Sequence, residues 1–420
     1  MFKFLDSNLF KNISSLTLIQ LGNYVIPLLL VPYISRIVGI DNYGKLEYAR
    51  TVVMYFVIIS DYGFNLTATR AISINRDNKD KINKIVSSVF IAKILLFIVS
   101  TIAFYLLLEW NDNLTSNKLL LWSTFLIIFG NFLFPIWFFQ GIEKIATIAY
   151  INFIIKLSVL ASAYFLIKTS ADYWKYNLLL SLAQIFIGLY SMYIVFVKYK
   201  VKFVTIKFKA IFFKYKEGFH VFVTAMLVAV FVSYAFLLLK ETSTDTEIGA
   251  YSTAHKLAMI IQVIILLPFS QAFFPFITKK AKESIITFDE LIKKAALIIF
   301  GITLLASIFS FIFAELIITL LFGKDFLVAV PIFKILAFLP VFTILNNLFS
   351  YQGLLSLHKD KLFLYIHVFF TIIILIISYI IVPKYGLMSV AYIRVISEIA
   401  LMLVSYYFLK KEIRKKMTNE

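Results

Sequence analysis

The chain has 420 residues, of which 61% are hydrophobic and only 15% are charged, and its mean hydropathy is +0.90. A soluble domain carries about 25% charged residues, so this composition excludes an ordinary soluble fold and indicates a polytopic membrane protein. The chain has no cysteine, which excludes disulfides, thiolate metal sites and cysteine nucleophiles.

A membrane-spanning helix needs about 20 predominantly apolar residues. Runs of this length predict an all-α protein with twelve transmembrane segments, numbered 1 to 12 in chain order: 13–38, 45–69, 85–108, 118–140, 146–168, 176–197, 218–240, 250–277, 295–322, 332–356, 362–382 and 387–409. Segment 1 contains Pro27 and Pro32, and a proline inside a membrane helix frees a carbonyl that neighbouring helices or water must satisfy. We expect segment 1 to be bent and to line a cavity beside segment 2, which carries Arg50.

The basic residues are distributed unevenly between the two sets of loops. The loops after even-numbered segments, together with both termini, hold 27 of the 41 lysines and arginines, and the opposite loops hold eight. The positive-inside rule then predicts that both termini are cytoplasmic. We therefore interpret the formal charge of +18 as a topology signal and as attraction to anionic membrane lipids, and we expect no nucleic-acid partner.

The two halves of the chain resemble each other, which predicts two six-helix lobes related as parallel repeats. Gly44, Ala49 and Arg50 open segment 2, and Gly249, Ala254 and His255 open segment 8 with the same spacing. A second match relates FFQG at 138–141 to SYQG at 350–353. The predicted domains are an N-terminal lobe (1–197), a basic cytoplasmic linker (198–217) and a C-terminal lobe (218–420). The linker alternates lysine with aromatic residues, a pattern that fits either a strip on the inner leaflet or a solvated connection.

Basic residues inside the segments are expensive in hydrocarbon and need a partner, a watery cavity or a route to the membrane surface. Lys93 and Lys334 lie near segment ends, where we expect them to snorkel. Arg394 has Glu398 four residues later, a spacing that predicts an ion pair within one helix. Arg50 has Glu47 three residues earlier, so a local pair is an alternative to a cavity position.

The remaining candidates form a predicted cationic cavity for an anionic substrate. Arg50, Lys156 and Lys256 are the best candidates for lining it, and His255 lies beside Lys256. Phosphate suits arginine and lysine equally well as a ligand. Among the acids, Asp61 in segment 2 and Glu315, predicted to lie deep in segment 9, are candidates for proton or sodium coupling, with a buried counter-ion as the alternative for each.

The sequence contains no P-loop, HExxH, GxSxG or aqueous DxD pattern. Nothing therefore indicates an enzyme, a catalytic residue, a metal site or a bound cofactor.

Three stretches resemble a known family. IQLGNYVIPLLLVPYISRIVGIDNYGKLEYA, DYGFNLTATR and PIWFFQGIEK, all within the first 145 residues, are similar to the bacterial O-antigen flippases. These are polysaccharide transporters of the multidrug/oligosaccharidyl-lipid/polysaccharide exporter superfamily. The resemblance implies two lobes that open alternately to each side of the inner membrane. It also implies transfer of an undecaprenyl-pyrophosphate-linked oligosaccharide to the periplasmic leaflet, driven by ion antiport.

The family resemblance further implies basic residues in the cavity, where Arg50 and Lys256 match. The exact alignment places His255 opposite Arg50, so either His255 or Lys256 is the equivalent residue. An O-antigen polymerase and a chain-length regulator are the protein partners that such a transporter implies. The alternative functions are a drug or metabolite antiporter of the same superfamily, whose cavity should be acidic, and a membrane enzyme such as a glycan polymerase, which would need a large external loop.

Overall fold

The computed structural model describes residues 7–111 and 117–418, without the side chains of residues 7–29 and of positions 237, 267, 271, 272 and 275. These residues are predominantly helical, and no strand occurs among them. The predicted all-α class is confirmed.

The α-helices follow one another with short connections. In chain order they are α1 Ser7–Asp61, α2 Phe64–Ile74, α3 Lys79–Trp110, α4 Lys118–Leu133, α5 Ile136–Gly141, α6 Ala146–Leu166, α7 Tyr173–Tyr193, α8 Phe208–Thr242, α9 Asp245–Glu283, α10 Ile285–Ile312, α11 Ala314–Leu321, α12 Val330–Leu336, α13 Leu339–Asn347 and α14 Asp360–Met417. Short 3-10 helices lie at Ser170–Asp172 and Lys324–Ala329, and π-helical stretches lie at Ile194–Lys198 and Leu348–Leu354.

Two of these helices are each a pair of helical segments joined at a glycine. Gly39 inside α1 has φ 79° and Gly386 inside α14 has φ 64°, a left-handed conformation that glycine adopts without steric cost. Both breaks fall where the sequence separates segment 1 from segment 2 and segment 11 from segment 12. In the described ranges, nine helices are long and apolar enough to cross a membrane, or ten if the bent pair Lys324–Leu336 and Leu339–Leu354 is one span. Because α1 and α14 each contain two predicted segments, these counts do not test the prediction of twelve spans.

Four predicted segments are interrupted, one of them being segment 10, which breaks at Ala337 and Phe338 between α12 and α13. Segment 2 breaks at Tyr62 and Gly63, whose φ angles are 45° and 76°, because a helix cannot continue through residues with positive φ. Segment 4 breaks before Pro135, which lacks the N–H that the helix needs. Segment 9 breaks at Phe313, between α10 and α11.

The packing divides the chain into two units, Met1–Ala229 and Val230–Glu420. The predicted lobes were drawn from hydropathy instead, so the first ends at 197 and the second begins at 218.

In the first unit α4 crosses α7 at very short range. A Cβ built on Gly130 would lie 2.6 Å from the backbone carbon of Gln184, and one on Gly188 would lie 2.6 Å from Cβ of Leu133. Small residues allow such close helix contact inside a membrane, where packing rather than expulsion of water holds helices together.

The two glycines of the FFQG and SYQG matches each lie against another helix, Gly141 against α2 and Gly353 against α14. A Cβ on Gly141 would lie 2.7 Å from Cβ of Ile72, and a Cβ on Gly353 would lie 2.6 Å from Cδ2 of Leu409. Gly141 therefore permits a close approach to α2, whereas the leucine side chain beside Gly353 could move aside.

The predicted linker lies against α3 of the first unit. The Lys202 N–H donates to Asn83 Oδ1 at 2.9 Å, and the Val204 N–H donates to Ser87 Oγ at 3.0 Å. Val201 is buried in the same core as Phe90 and Trp137. These contacts exclude a freely solvated connection over 201–204. That the exposed face of the linker lies on the inner leaflet stays a prediction.

Candidate functional site

Arg50 lies in the second helical segment of α1 and is half-buried. Its Nη1 atom is 3.0 Å from Oε1 of Glu47, whose side chain is only 9% exposed, while the arginine side chain is 38% exposed. Tyr43 on the same helix and Tyr176 of α7 lie beside the guanidinium. The alternative of a local ion pair is confirmed. The side chain as a whole stays partly exposed, so the cavity position stays a prediction.

Buried amides and hydroxyls hold α7 in place beside Arg50. The Asn177 Nδ2 atom donates to the carbonyl of Leu46 at 3.2 Å and to Thr124 Oγ1 at 2.9 Å. Asn177 and Thr124 are both buried. Their hydrogen bonds connect α1, α4 and α7, so Tyr176 has a defined position next to the guanidinium.

Asp61 is part of a second polar cluster in the first unit. Its Oδ1 atom is 2.9 Å from Nζ of Lys93, and its Oδ2 atom accepts a hydrogen bond of 2.6 Å from Asn65. Lys93 also donates to the carbonyl of Asn131 at 3.2 Å. The prediction that Lys93 snorkels is wrong, because its side chain is 1% exposed and Asp61 supplies a counter-charge within the protein. Asp61 is accordingly the counter-ion of a buried lysine.

Lys156 lies on α6 and is half-buried. It is separate in sequence from the Arg50 and Asp61 clusters, and its side chain interacts with another part of the protein. It stays a candidate for a cation that binds substrate.

In the second unit, His255 and Lys256 lie on α9 and are both half-buried. The imidazole of His255 stacks on Tyr251, with ring centroids 5.8 Å apart and an interplanar angle of 15°, and meets Phe236 edge to face at 6.1 Å. The preceding residue, Ala254, is fully buried, as is Ala49 before Arg50. The matching sequence patterns thus have matching burial.

Segment 9, which carries Glu315, is not one continuous helix, and the depth of Glu315 in the membrane stays a prediction. The helix ends at Ile312, and Glu315 lies in the first turn of α11, where it is exposed. An acid in the first turn is stabilised by the positive end of the helix dipole.

The predicted pair between Arg394 and Glu398 is confirmed, with Nη2 and Oε1 2.9 Å apart and side chains 6% and 3% exposed. The guanidinium also lies over the ring of Phe231 on α8, with its central carbon 4.5 Å from the ring centroid. The spacing along one helix predicted this pair, but nothing in the sequence indicated that Phe231 would cover it.

The described ranges contain no group of three or more histidine or acidic side chains close enough to hold a metal ion.

Comparison with known proteins identifies the family. The model of the family described as polysaccharide biosynthesis protein matches residues 9–281. A protein of Escherichia coli (strain K12), provisionally named an O-antigen transporter, is 26% identical over 356 residues, which cover 84% of this chain and 85% of that protein.

Two solved structures share the fold at low sequence identity. The lipid II flippase MurJ, in an inward closed conformation, superposes with a TM-score of 0.76 at 15% identity, covering 97% of this chain and 89% of MurJ. An inward-facing multidrug resistance transporter of the MATE family, from the MOP superfamily, superposes with a TM-score of 0.73 at 16% identity, covering 96% and 98% of the two chains. All three named proteins are transporters or flippases, which agrees with the prediction that the chain is not an enzyme. The chain belongs to the polysaccharide biosynthesis protein family and is a multi-pass membrane protein with the fold of MOP-superfamily transporters.

Proposed function

We propose that the protein is a flippase that moves an undecaprenyl-pyrophosphate-linked oligosaccharide, such as an O-antigen repeat unit, from the cytoplasmic to the periplasmic leaflet of the inner membrane. Family membership supports export of a polysaccharide precursor. The name of the Escherichia coli relative supports the O-antigen class, and the shared fold with a lipid II flippase supports a lipid-linked substrate.

The observation that carries the proposal is the presence of half-buried basic side chains on otherwise apolar helices of both units. Arg50 and Lys156 belong to the first unit, and His255 and Lys256 belong to the second. A pyrophosphate carries about two negative charges and loses hydration when it enters a protein, so basic groups must replace the lost water contacts. A drug antiporter that favours cations should instead have acidic groups in its cavity, because basic groups repel a cation.

We propose that transport proceeds by alternating access and is coupled to protons or sodium. His255 is a further candidate for proton coupling, because a histidine side chain can exist with or without a proton. Asp61 and Glu315 remain the acidic candidates, and the ion pair with Lys93 favours a structural role for Asp61. The exported unit would then pass to an O-antigen polymerase under a chain-length regulator.

Deletion of the gene in its own bacterium tests this function. We expect surface polysaccharide to disappear while undecaprenyl-pyrophosphate-linked repeat units accumulate in the cytoplasmic leaflet, and a plasmid copy should restore export. Glycan profiling of the cell surface and mass spectrometry of extracted lipids measure the two effects. Unchanged surface polysaccharide combined with increased drug sensitivity would instead support the drug antiporter.

A further inference from the structure

A groove of about 510 Å³ lies between α9 and α10 in the second unit. From α9 it is lined by Ile265, Phe269 and Phe273. These residues are four apart, so they lie on one face of the helix. The wall that they form is entirely apolar.

The wall formed by α10 is also a single helical face, but it carries one charge. Leu291, Ala295, Ile298 and Ile302 follow the spacing of three or four residues that keeps side chains in line. They extend over about 16 Å at 1.5 Å per residue. Lys294 lies one turn from the Leu291 end and is the one charged residue in the lining.

Lys294 is exposed and has no hydrogen bond or ion pair with another described residue. Its neighbour Lys293, by contrast, is 2.8 Å from Asp289, and Asp289 is also bound by Lys410. The ammonium of Lys294 is therefore available to a ligand.

The charged end of the groove is next to the basic end of α9. That end carries Lys279, Lys280 and Lys282, and the positive-inside rule predicts that it is cytoplasmic. A ligand in the groove would thus have its anionic group near the cytoplasmic surface and its apolar part in the membrane.

A second groove in the same unit provides a comparison. It has a volume of about 450 Å³ and lies between α8 and α14, where Tyr234 and Tyr379 are its polar residues. No charged side chain lines it. It offers an apolar wall without a partner for phosphate.

We propose that the groove between α9 and α10 binds the polyprenyl tail of a phosphate-bearing isoprenoid lipid, with Lys294 contacting the phosphate. This inference rests on the proposed function, which supplies the class of lipid. The groove would hold the substrate lipid at the cytoplasmic leaflet, where translocation begins. Its length of about 16 Å accommodates only the part of the tail nearest the phosphate.

Binding of undecaprenyl phosphate to the purified full-length protein in detergent tests the groove. We expect Lys294→Gln to weaken binding roughly ten-fold, because it removes a charge-assisted contact. Ile298→Trp should weaken binding to a similar extent by filling the groove, and the side chain is 62% exposed, so the fold should tolerate it. The matched controls are Leu297→Trp, at a position that is 73% exposed and outside the lining, and Lys279→Gln, whose side chain is 77% exposed.

Equal binding by all four variants and the unaltered protein would overturn the groove assignment. So would equal competition by dioleoyl phosphatidylglycerol, because the site would then be occupied by general membrane lipid. Export in the deletion strain is a separate readout. If the plasmid copy restores surface polysaccharide but Lys294→Gln and Ile298→Trp leave lipid binding unchanged, the assignment of lipid binding to the groove is wrong and the proposed function is still supported. If deletion leaves export unchanged, the proposed function fails.

Discussion

At the scale of single residues, Arg50 combines an internal ion pair with a partly exposed side chain. Glu47 neutralises the guanidinium from the protein side, which lowers the cost of placing a cation within an apolar helix. The pair uses only one of the five N–H donors that a guanidinium provides. Tyr176 contacts the same guanidinium, and the proposed function assigns the other donors to the substrate.

Substitutions at Arg50 and Lys256 test the proposed contact with pyrophosphate. Arg50→Lys should retain part of the export, because the charge survives while the bidentate geometry is lost. Arg50→Gln and Lys256→Ala should each lose a charge-assisted contact of about 1.5–3 kcal/mol and reduce headgroup capture roughly ten-fold or more. Complementation of surface polysaccharide in the deletion strain measures the effect.

The comparison requires equal amounts of each variant in the membrane, because Arg50→Gln also leaves the buried Glu47 without its partner. The double variant Glu47→Gln with Arg50→Gln also removes the uncompensated carboxylate of Glu47, and it is the control for stability. Output equal to that of the unaltered protein from all three single variants would contradict a cationic substrate site.

The pair between Lys93 and Asp61 predicts a large effect on stability. Asp61→Asn leaves a lysine that is 1% exposed without a counter-charge, and breaking a buried pair in this way costs about 3–5 kcal/mol. Replacing both residues, with Lys93→Met and Asp61→Asn together, should recover most of the loss. Thermal unfolding in detergent measures these differences.

A surface pair offers the matched control for this prediction. Lys118 and Glu109 are also 2.9 Å apart, but their side chains are 43% and 44% exposed. Lys118→Met should therefore change stability by about 1 kcal/mol or less. An equally small effect of Asp61→Asn would show that the Lys93 site is hydrated.

At the scale of helices, the contact between α4 and α7 depends on Gly130. Gly130→Ala improves helix propensity by about 1 kcal/mol, yet its Cβ would lie 2.6 Å from backbone atoms of α7 that cannot rotate away. We expect net destabilisation of about 1–3 kcal/mol, the usual cost of overpacking. The midpoint of thermal unfolding in detergent should fall accordingly.

Gly301 of α10 is the control glycine, since nothing lies within 4 Å of a Cβ built on it. Gly301→Ala should leave stability unchanged or raise it slightly. If both substitutions have the same effect, close packing at Gly130 does not stabilise the first unit.

At the scale of the whole molecule, the distribution of lysine and arginine predicts the orientation of every loop. Reporter fusions after Asp80 and Lys209 should be cytoplasmic, and a fusion after Thr244 should be periplasmic, because basic loops are retained on the inner side. Paired alkaline phosphatase and fluorescent protein reporters distinguish the two locations. A periplasmic reporter after Lys209 would contradict the arrangement of six segments on either side of this loop.

Local properties of the chain were sufficient for the class, the approximate segments and the pair within one helix. Span length depends on a run of consecutive apolar residues, and Arg394 and Glu398 meet because four residues make about one helical turn. The breaks at Gly39 and Gly386 also coincide with gaps between apolar runs. The break at Phe313 had no such signal, since neither glycine nor proline lies there.

Contacts between distant parts of the chain were decided only by the tertiary structure. Lys93 and Asp61 are 32 positions apart. Hydropathy placed the lysine near a segment end, from which its ammonium group was expected to reach the membrane surface. Packing of α1 against α3 instead brings a carboxylate within 2.9 Å of Nζ. The groove beside Lys294 likewise exists because two helix faces meet. Apolar patterning determines which segments enter the membrane, whereas the partners of a buried charge depend on how those segments pack.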